Sequence, residues 1–523
     1  LNSKTGRVTF ARTFGLVVVM TVMGSGCAFL SGVTQTDPSV TTSEGTTGRA
    51  SATADGKLIA YAANTDASAP GVTDGIYVLD ASTRIRQLVS VASDGTPGDG
   101  ISSDAVISAD GRYVAFTSDS TNLVAGDTNL VDDVFVRDRT NNVTTRVSVT
   151  TAGVEVADPS YAPSISADGR YVSYTSDSDE LVAIGDENGS SDTYVHDMVG
   201  NATILVSVGP AGLQTDFGAW DPAISGNGQW VAFTTDTALV ASDENDGDDI
   251  YERDILHNTI RRISGPKSGT TGGGGDNASV NTDGNTVVFQ SDATDLTGTT
   301  DTNNATDIFG RLTASSVTFR ISNKKDGTSL VGSSTNPSVS ADGFRTAYQS
   351  TGDPSGTDTN GTLSDVFVHD RAHARTLLVS TKPWLDQLPY PSLNAAISGD
   401  GRYAYWLSIG PFTGDTNGVG DMFDRAVDVP RPTAISPTSL THGTSAKVTI
   451  TGTDFLPKAA IWLPANLTAG TVTVLSDTSM TVTITAAANA TLGLTDIFVQ
   501  NLGSGGGPNT GAMGQCSKCL TVK

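Results

Sequence analysis

The chain has 523 residues, 57 of them Gly and only 6% aromatic, a composition of many short strands and tight turns rather than helices. Its length exceeds one ordinary hydrophobic core, so several domains or a repeated architecture are expected. A formal charge of −25, from 31 basic and 56 acidic residues, argues against a nucleic-acid partner, which needs clustered Lys and Arg, and favours cations.

Lys4, Arg7 and Arg12 precede an apolar run from Phe14 to Met23, too short to span a bilayer, and Gly24, Ser25 and Gly26 then lead to Cys27. Residues 1–27 read as an export signal, so the mature chain is expected at the cell surface, secreted or periplasmic. The small-residue pair before Cys27 resembles the lipobox of bacterial lipoproteins, although Gly24 departs from the usual Leu. That resemblance implies lipidation of Cys27 and a membrane anchor; an ordinary cleaved signal is the alternative. Cys516 and Cys519 then remain as an even pair suited to a disulfide. Their context, QCSKCLTVK, reads as a strand, without the helix N-terminus of a redox motif or the further ligands of a zinc site.

Between residues 49 and 428 one phrase recurs: ATADGKLIAYAA at 52, ISADGRYVAFTS at 107, ISADGRYVSYTS at 165, ISGNGQWVAFTT at 224, VNTDGNTVVFQS at 280, VSADGFRTAYQS at 339 and ISGDGRYAYWLS at 397. Its turn pairs begin at Asp55, Asp110, Asp168, Asn227, Asp283, Asp342 and Asp400, a period of 55 to 59 residues. Asp-Gly or Asn-Gly between alternating apolar runs marks a hairpin, because these residues tolerate positive φ. A third strand follows, such as DVFVRD at 133, and a fourth, such as RVSV at 146 or LVSV at 205. Four strands per unit predict an all-β fold, a seven-bladed β-propeller. The seventh repeat lacks a fourth strand. Counting back from Asp55 places a closing strand near 31–36, within the N-terminal segment 28–48; a disordered tether over 28–48 is the alternative.

The repeat resembles those of the TolB-like family, which read P-x-x-S-P-D-G before an I-A-F strand. This chain departs by placing Ala, Gly or Thr before the turn residue, as at Ala109, Ala167 and Thr282, and by having seven repeats rather than six. The Asp-box of sialidases does not fit, since Asp and Gly here are adjacent, and no G-x-S-x-G elbow is present. After Pro430 the pattern changes to strands such as AKVTITGTDF and DTSMTVTIT, a small β-sandwich at 429–523. Pro437, Gly443, Gly452 and Phe455 carry a resemblance to IPT/TIG immunoglobulin-like domains, which implies a binding or spacing module.

These readings predict a non-enzymatic, monomeric binding scaffold with an extracellular or envelope protein or glycan as partner. A hydrolase or lyase in the propeller channel and a purely structural envelope protein are the alternatives. His196 and His369 share a third-strand slot with Arg137 and Arg253 and read as structural. Tyr161 and Trp220 each lie seven residues before their turn residue, where other blades carry Ser103, Asp276, Thr335 and Leu393, so both are expected at one channel mouth, as ligand-binding residues or, alternatively, as a seal of the channel.

The loops between second and third strands hold 27 of the 56 acidic residues and no Lys or Arg. Six contain a D-x-N-x-x-x-D pattern or a one-residue extension of it: Asp127, Asn129, Asp133; Asp186, Asn188, Asp192; Asp243, Asn245, Asp249; Asp301, Asn303, Asp307; Asp358, Asn360, Asp365; Asp415, Asn417, Asp421. Oxygen ligands at this spacing suit weak Ca²⁺ sites. Turn chemistry is the alternative, since Asp and Asn bond their own backbone.

Overall fold

The computed structural model describes residues 46–523 except 65–73, 84, 184–187, 213, 246, 270–271, 300, 325, 381–388, 409–420, 429, 457–458, 477 and 502–512. The expected closing strand at 31–36 and Cys27 lie outside the described residues.

Each repeated turn is built by its own side chains. Ser108 donates its hydroxyl to Asp110 Oδ1 (2.7 Å) and accepts the Tyr113 amide (3.0 Å), while Asp110 Oδ1 also takes the Arg112 amide (2.9 Å). Ser166, Ser225, Ser340 and Ser398 repeat the arrangement, and Thr53 and Asn281 reproduce it with other side chains. The glycine that follows stands at φ between +69° and +77° in all seven turns, which only Gly adopts without strain. At Gly169 an added Cβ would also lie 2.1 Å from Tyr113 Cδ2.

The hairpins assemble into antiparallel sheets. In the second blade the order is Ser102–Ile107, Tyr113–Ser118, Asp133–Asp138 and Val143–Arg146. Among the described residues six such sheets have four strands and a last one has three, Ser392–Ile397, Tyr403–Ser408 and Asp421–Ala426. The first strand of each packs on the first strands of its neighbours, and Ser392–Ile397 packs on Thr46–Ala52, so the sheets close a ring with the first strands innermost. No α-helix occurs among the described residues.

A belt of backbone hydrogen bonds joins turn to turn around this ring. The amides of Ala54, Ala109, Ala167, Asn227, Thr282, Ala341 and Asp400 donate to the carbonyls of Ala109, Ala167, Gly226, Thr282, Ala341, Gly399 and Ala54, at 2.8–3.1 Å. Five of these donors occupy the slot before the turn residue. The departure from the TolB-like pattern thus has a physical reason, because proline there would have no N–H to give.

The few aromatics are spent between the blades. One ring from each second strand lies against one from the third, as in Phe116 with Phe135 and Trp406 with Phe423, both at 5.9 Å between centroids. Each such buried ring contributes roughly 1.5–3 kcal/mol by leaving water.

The C-terminal residues form a β-sandwich. One sheet contains Arg431–Ser436, Ser445–Thr453, Ser479–Ala486, Leu467–Ala469 and Thr473–Ser476; the other contains Ser439–Leu440, Met513–Val522, Gly493–Gln500 and Ala460–Trp462. The predicted alternation is present: Val448, Ile450, Met480, Val482 and Ile484 are buried in the core between the sheets. Cys516 and Cys519 lie on Met513–Val522, with Cα atoms 5.8 Å apart, and form a disulfide-capable pair.

The sandwich is tied to the propeller. Buried Leu456 joins the cluster of Tyr403, Tyr405, Met422 and Ala426 from the three-stranded sheet. Asn501 Nδ2 donates to the carbonyls of Asp428 (2.9 Å) and Asp454 (2.6 Å), and Asn501 Oδ1 accepts the Leu456 amide (2.9 Å).

Candidate functional site at the loop face and channel mouth

The acidic pattern is a latch. The first Asp of the third strand is wholly buried at Asp133, Asp249, Asp307 and Asp365 and nearly so at Asp192. The serine just beyond the fourth strand donates to it, from Ser148 (2.5 Å), Ser207, Ser264, Ser322 (2.5 Å) and Ser380 (2.7 Å). The loop asparagine closes the other side: Asn129 Nδ2 reaches Asp133 Oδ2 (3.0 Å) and the carbonyl of Val156 (3.0 Å), and Asn188 and Asn303 repeat both bonds.

In three blades the cation expected in these loops is already present as a side chain. Arg146 Nη1 stands 3.3 Å from Asp127, 3.0 Å from Asp133 and 2.6 Å from Glu155. Arg262 pairs with Asp243 (3.3 Å) and Asp249 (2.7 Å), and Arg320 with Asp301 (2.9 Å) and Asp307 (3.2 Å). The loops of Asp127, Asn129 and Asp133, of Asp243, Asn245 and Asp249, and of Asp301, Asn303 and Asp307 thus set a guanidinium beside the carboxylates where calcium was expected, and Asp127, Asp133 and Glu155 also bring one carboxylate oxygen each within 4.8 Å of one another, a grouping able to hold a cation. Leu205 and Leu378 occupy the arginine's register in the loops of Asn188 and Asp192 and of Asp358, Asn360 and Asp365. Asp186, Asp415 and Asn417 lie outside the described residues, and Asp421 begins a third strand.

Burial pushes the Asp127 carboxyl up to about 6 against the pull of Arg146. Burial raises Glu155 as well, but the Thr128 amide and hydroxyl and Arg146 outweigh it and hold Glu155 at about 2. The fourth strands RVSV, RISG and RISN carried the signal for these pairs, in the Arg that replaces Leu before the recurring Ser.

Tyr161 and Trp220 occupy the same register on adjacent innermost strands, opposite Thr175 and Thr234. Both are half-buried. The Tyr161 hydroxyl donates to Asp177 Oδ1 (3.0 Å) and lies 3.3 Å from Ser191 Oγ.

The next residue along each innermost strand was missed by sequence reasoning. There the register shifts, and Asp104, Ala162, Asp221, Asn277, Asn336 and Asn394 all take φ between 51° and 56°. Such a bulge re-aims a side chain, and Asn and Asp tolerate the conformation better than other non-Gly residues. Its signal lay in the column six residues before each turn, rich in Asp and Asn.

These bulges make the channel wall two-sided. Burial raises the Asp221 carboxyl, and Asp276 and Asp104 add to it, so carboxylates from three blades share one field. Burial also raises Asp132, reinforced by Asp119 and Asp104, and Asp276, reinforced by Asp248 and Asp292. The remaining wall is amide and guanidinium. Asn277 Nδ2 donates to Asn336 Oδ1 (2.8 Å), and Asn336 and Asn394 give their amides to Gln290 and Gln349 (3.0 and 2.8 Å). Arg49 donates to the carbonyls of Ala395 (3.2 Å) and Pro337 (2.5 Å), and burial lowers it to about 10.

The histidines stand elsewhere. His196 and His369 hold Thr203 and Thr376 at 3.0 Å inside their sheets, and burial lowers both. His257 and His373 pair with Asp254 and Asp370 at the opposite face, and His442 belongs to the sandwich.

A family model described as quinohemoprotein amine dehydrogenase, alpha subunit domain III, matches residues 429–504, within the sandwich. It is a different family from the IPT/TIG domains that the motifs there resemble. No curated protein is similar enough to match. Among solved structures, the chain is similar to a puromycin-hydrolyzing peptidase of Mycobacterium tuberculosis, at 10% identity and a TM-score of 0.41, over 72% of this chain and 51% of that one. It is also similar to the extracellular domain of a putative hybrid two component system from B. thetaiotaomicron, at 8% identity and a TM-score of 0.37, over 78% of this chain and 44% of that one. The chain thus spans about half the length of the proteins it matches.

Proposed function

We propose that this chain is a non-enzymatic binding scaffold, exported and anchored through Cys27, that offers its channel mouth to a protein or glycan. The observation that carries this reading is the asymmetry of the mouth. Repetition requires seven equivalent walls, yet Tyr161, Trp220, Asp104, Asp221 and Asp276 are gathered on the second to fifth blades, while Asn336, Asn394 and Arg49 face them from the others. Aromatic faces stack on a sugar or an apolar side chain, and carboxylates accept its hydroxyl or N–H groups.

The full chain and its Tyr161→Ala, Trp220→Ala double variant would be screened on glycan and envelope-extract arrays. The Ser191 to Asp177 bond (2.6 Å) does not involve Tyr161, so the variant keeps that part of the wall. A ligand held by the natural chain and weakened at least about tenfold, ~1.4 kcal/mol, in the variant is the expected result. Equal binding by both proteins would sink the channel reading. Cys27→Ser releases the protein into the medium if the anchor is a lipid.

A further inference from the structure

On the face that carries the Asp-Gly turns, a groove runs between the third and fourth strands of each blade and the turn of the next. In most grooves the chain inserts a polar side chain that donates to the carbonyl of the turn glycine. Arg139 reaches Gly111 O (2.6 Å), Arg261 reaches Gly284 O (3.3 Å), Arg371 reaches Gly343 O (3.1 Å) and Arg345 reaches Gly401 O (2.9 Å). Where the last blade meets the first, the Tyr405 hydroxyl does the same for Gly56 (2.9 Å). Between the third and fourth blades, Ile204 and Ile255 hold the corresponding slots.

The groove between the second and third blades is different. Thr145 stands in the slot of Arg261, and Met198 in the slot shared by Arg139 and Arg371. Among the described residues no side chain donates to the Gly169 carbonyl. A cavity of about 400 Å³ is left, walled by Tyr113, Val136, Thr145 and Met198, with the charged residues Asp138, Asp168 and Arg170 also in its lining.

We propose that this groove binds an arginine side chain of a partner protein. The four sister grooves display the complex: a guanidinium meets the glycine carbonyl, and Arg261 and Arg371 also lie over the rings of Trp230 (4.2 Å) and Phe344 (4.7 Å). The groove beside Gly169 keeps the acceptor and a ring, Tyr113, which Arg112 covers at 4.6 Å, but lacks a side chain that reaches the carbonyl. Its rim carries both signs. Arg112 pairs with Asp138 (2.7 Å) and Arg170 with Asp197 (2.7 Å), while Asp168 accepts the Ser166 hydroxyl (2.7 Å) and the Arg170 amide (3.0 Å) through Oδ1 and is in no ion pair among the described residues. A planar guanidinium suits such fixed oxygen acceptors better than an ammonium does. The site lies on the face opposite the acidic loops, so it stands or falls independently of the channel.

The full chain would be titrated with N-acetyl-arginine amide and N-acetyl-citrulline amide by ligand-observed NMR. Saturable binding of the arginine compound is expected, at least tenfold tighter than the neutral citrulline compound. Thr145→Arg and, separately, Met198→Arg place the sister plugs in the groove and should each weaken binding at least tenfold, with unchanged circular dichroism confirming the fold. Asp168→Asn should weaken it several-fold while keeping the turn, because Asn227 makes the same two turn bonds at 2.7 and 3.0 Å. Absence of saturable binding, equal affinity for the two compounds, or undiminished binding in both arginine variants would overturn the proposal.

Discussion

The two ends of the propeller are built on opposite rules. At the turn end every blade repeats one solution, with a polar side chain donating to the turn Asp or Asn, the same left-handed glycine and one continuous belt of amide bonds. At the loop end the latch between serine and aspartate is shared, but what surrounds it changes from blade to blade, from arginine to leucine in the fourth strand and from Tyr161 and Trp220 to Ser103, Asp276, Thr335 and Leu393 in the first. Repetition marks what the ring needs in order to close. Departure from it marks where the molecule is free to acquire a site.

The largest expected effect tests whether the loop end is held by its internal cations. Arg146→Ala leaves Asp127, Asp133 and Glu155 facing one another in a site where Arg146 is only 8% exposed and Asp133 is fully buried. Removing one partner of a buried ion network costs about 3–5 kcal/mol, so the melting temperature should fall by several degrees. Millimolar Ca²⁺ should recover part of that loss in Arg146→Ala and leave the natural chain shifted less. An equal calcium response in both proteins would mean that the guanidinium does not occupy the cation's place.

A smaller effect separates the turn end from a connecting hairpin, Val149 to Glu155, through two glycines of like conformation. Gly169 has φ +74° and no space for a Cβ, whereas Gly153 has φ +76° and open space. Gly169→Ala should cost about 3 kcal/mol from strain plus displacement of Tyr113, and Gly153→Ala only ~1 kcal/mol from strain. Equal losses in chemical denaturation would show that backbone strain alone sets both.

The smallest effect concerns pH. Glu252 replaces the valine of Val78, Val136, Val195 and Val368 in its slot, and its burial raises the carboxyl to about 7, only partly offset by Arg261. A carboxyl with a raised folded pKa binds more protons folded than unfolded between its ordinary value and about 7, so it lowers stability as pH rises through that window. Glu252→Gln should therefore flatten the fall in melting temperature from pH 4.5 to 7. An unchanged slope would assign the pH dependence to other groups.

Much of this was legible in one dimension, because local rules are repeated seven times. The Asp-Gly turns, the alternation that buries Val448 and Ile450, and the strand nature of QCSKCLTVK depend on neighbours a few residues away. Tyr161 and Trp220 could be placed in one register by counting from their turns. The closing strand at 31–36 and the lipidation of Cys27 rest on residues that are not described.

What the sequence by itself determined is therefore the all-β class, the turn chemistry and the charge of the loop face, each set by backbone geometry and composition. Only the tertiary structure decided that Arg146, Arg262 and Arg320 each pair with two or three carboxylates at the loops expected to hold calcium, since the arginine and its carboxylates come from different segments. Only it decided that Asp104, Asp221 and Asp276 share one field across the channel, and that Thr145 and Met198 leave a groove open beside Gly169. These outcomes depend on which side chains from distant segments meet, and Coulomb attraction and packing volume act over ångströms in space, whatever the separation along the chain.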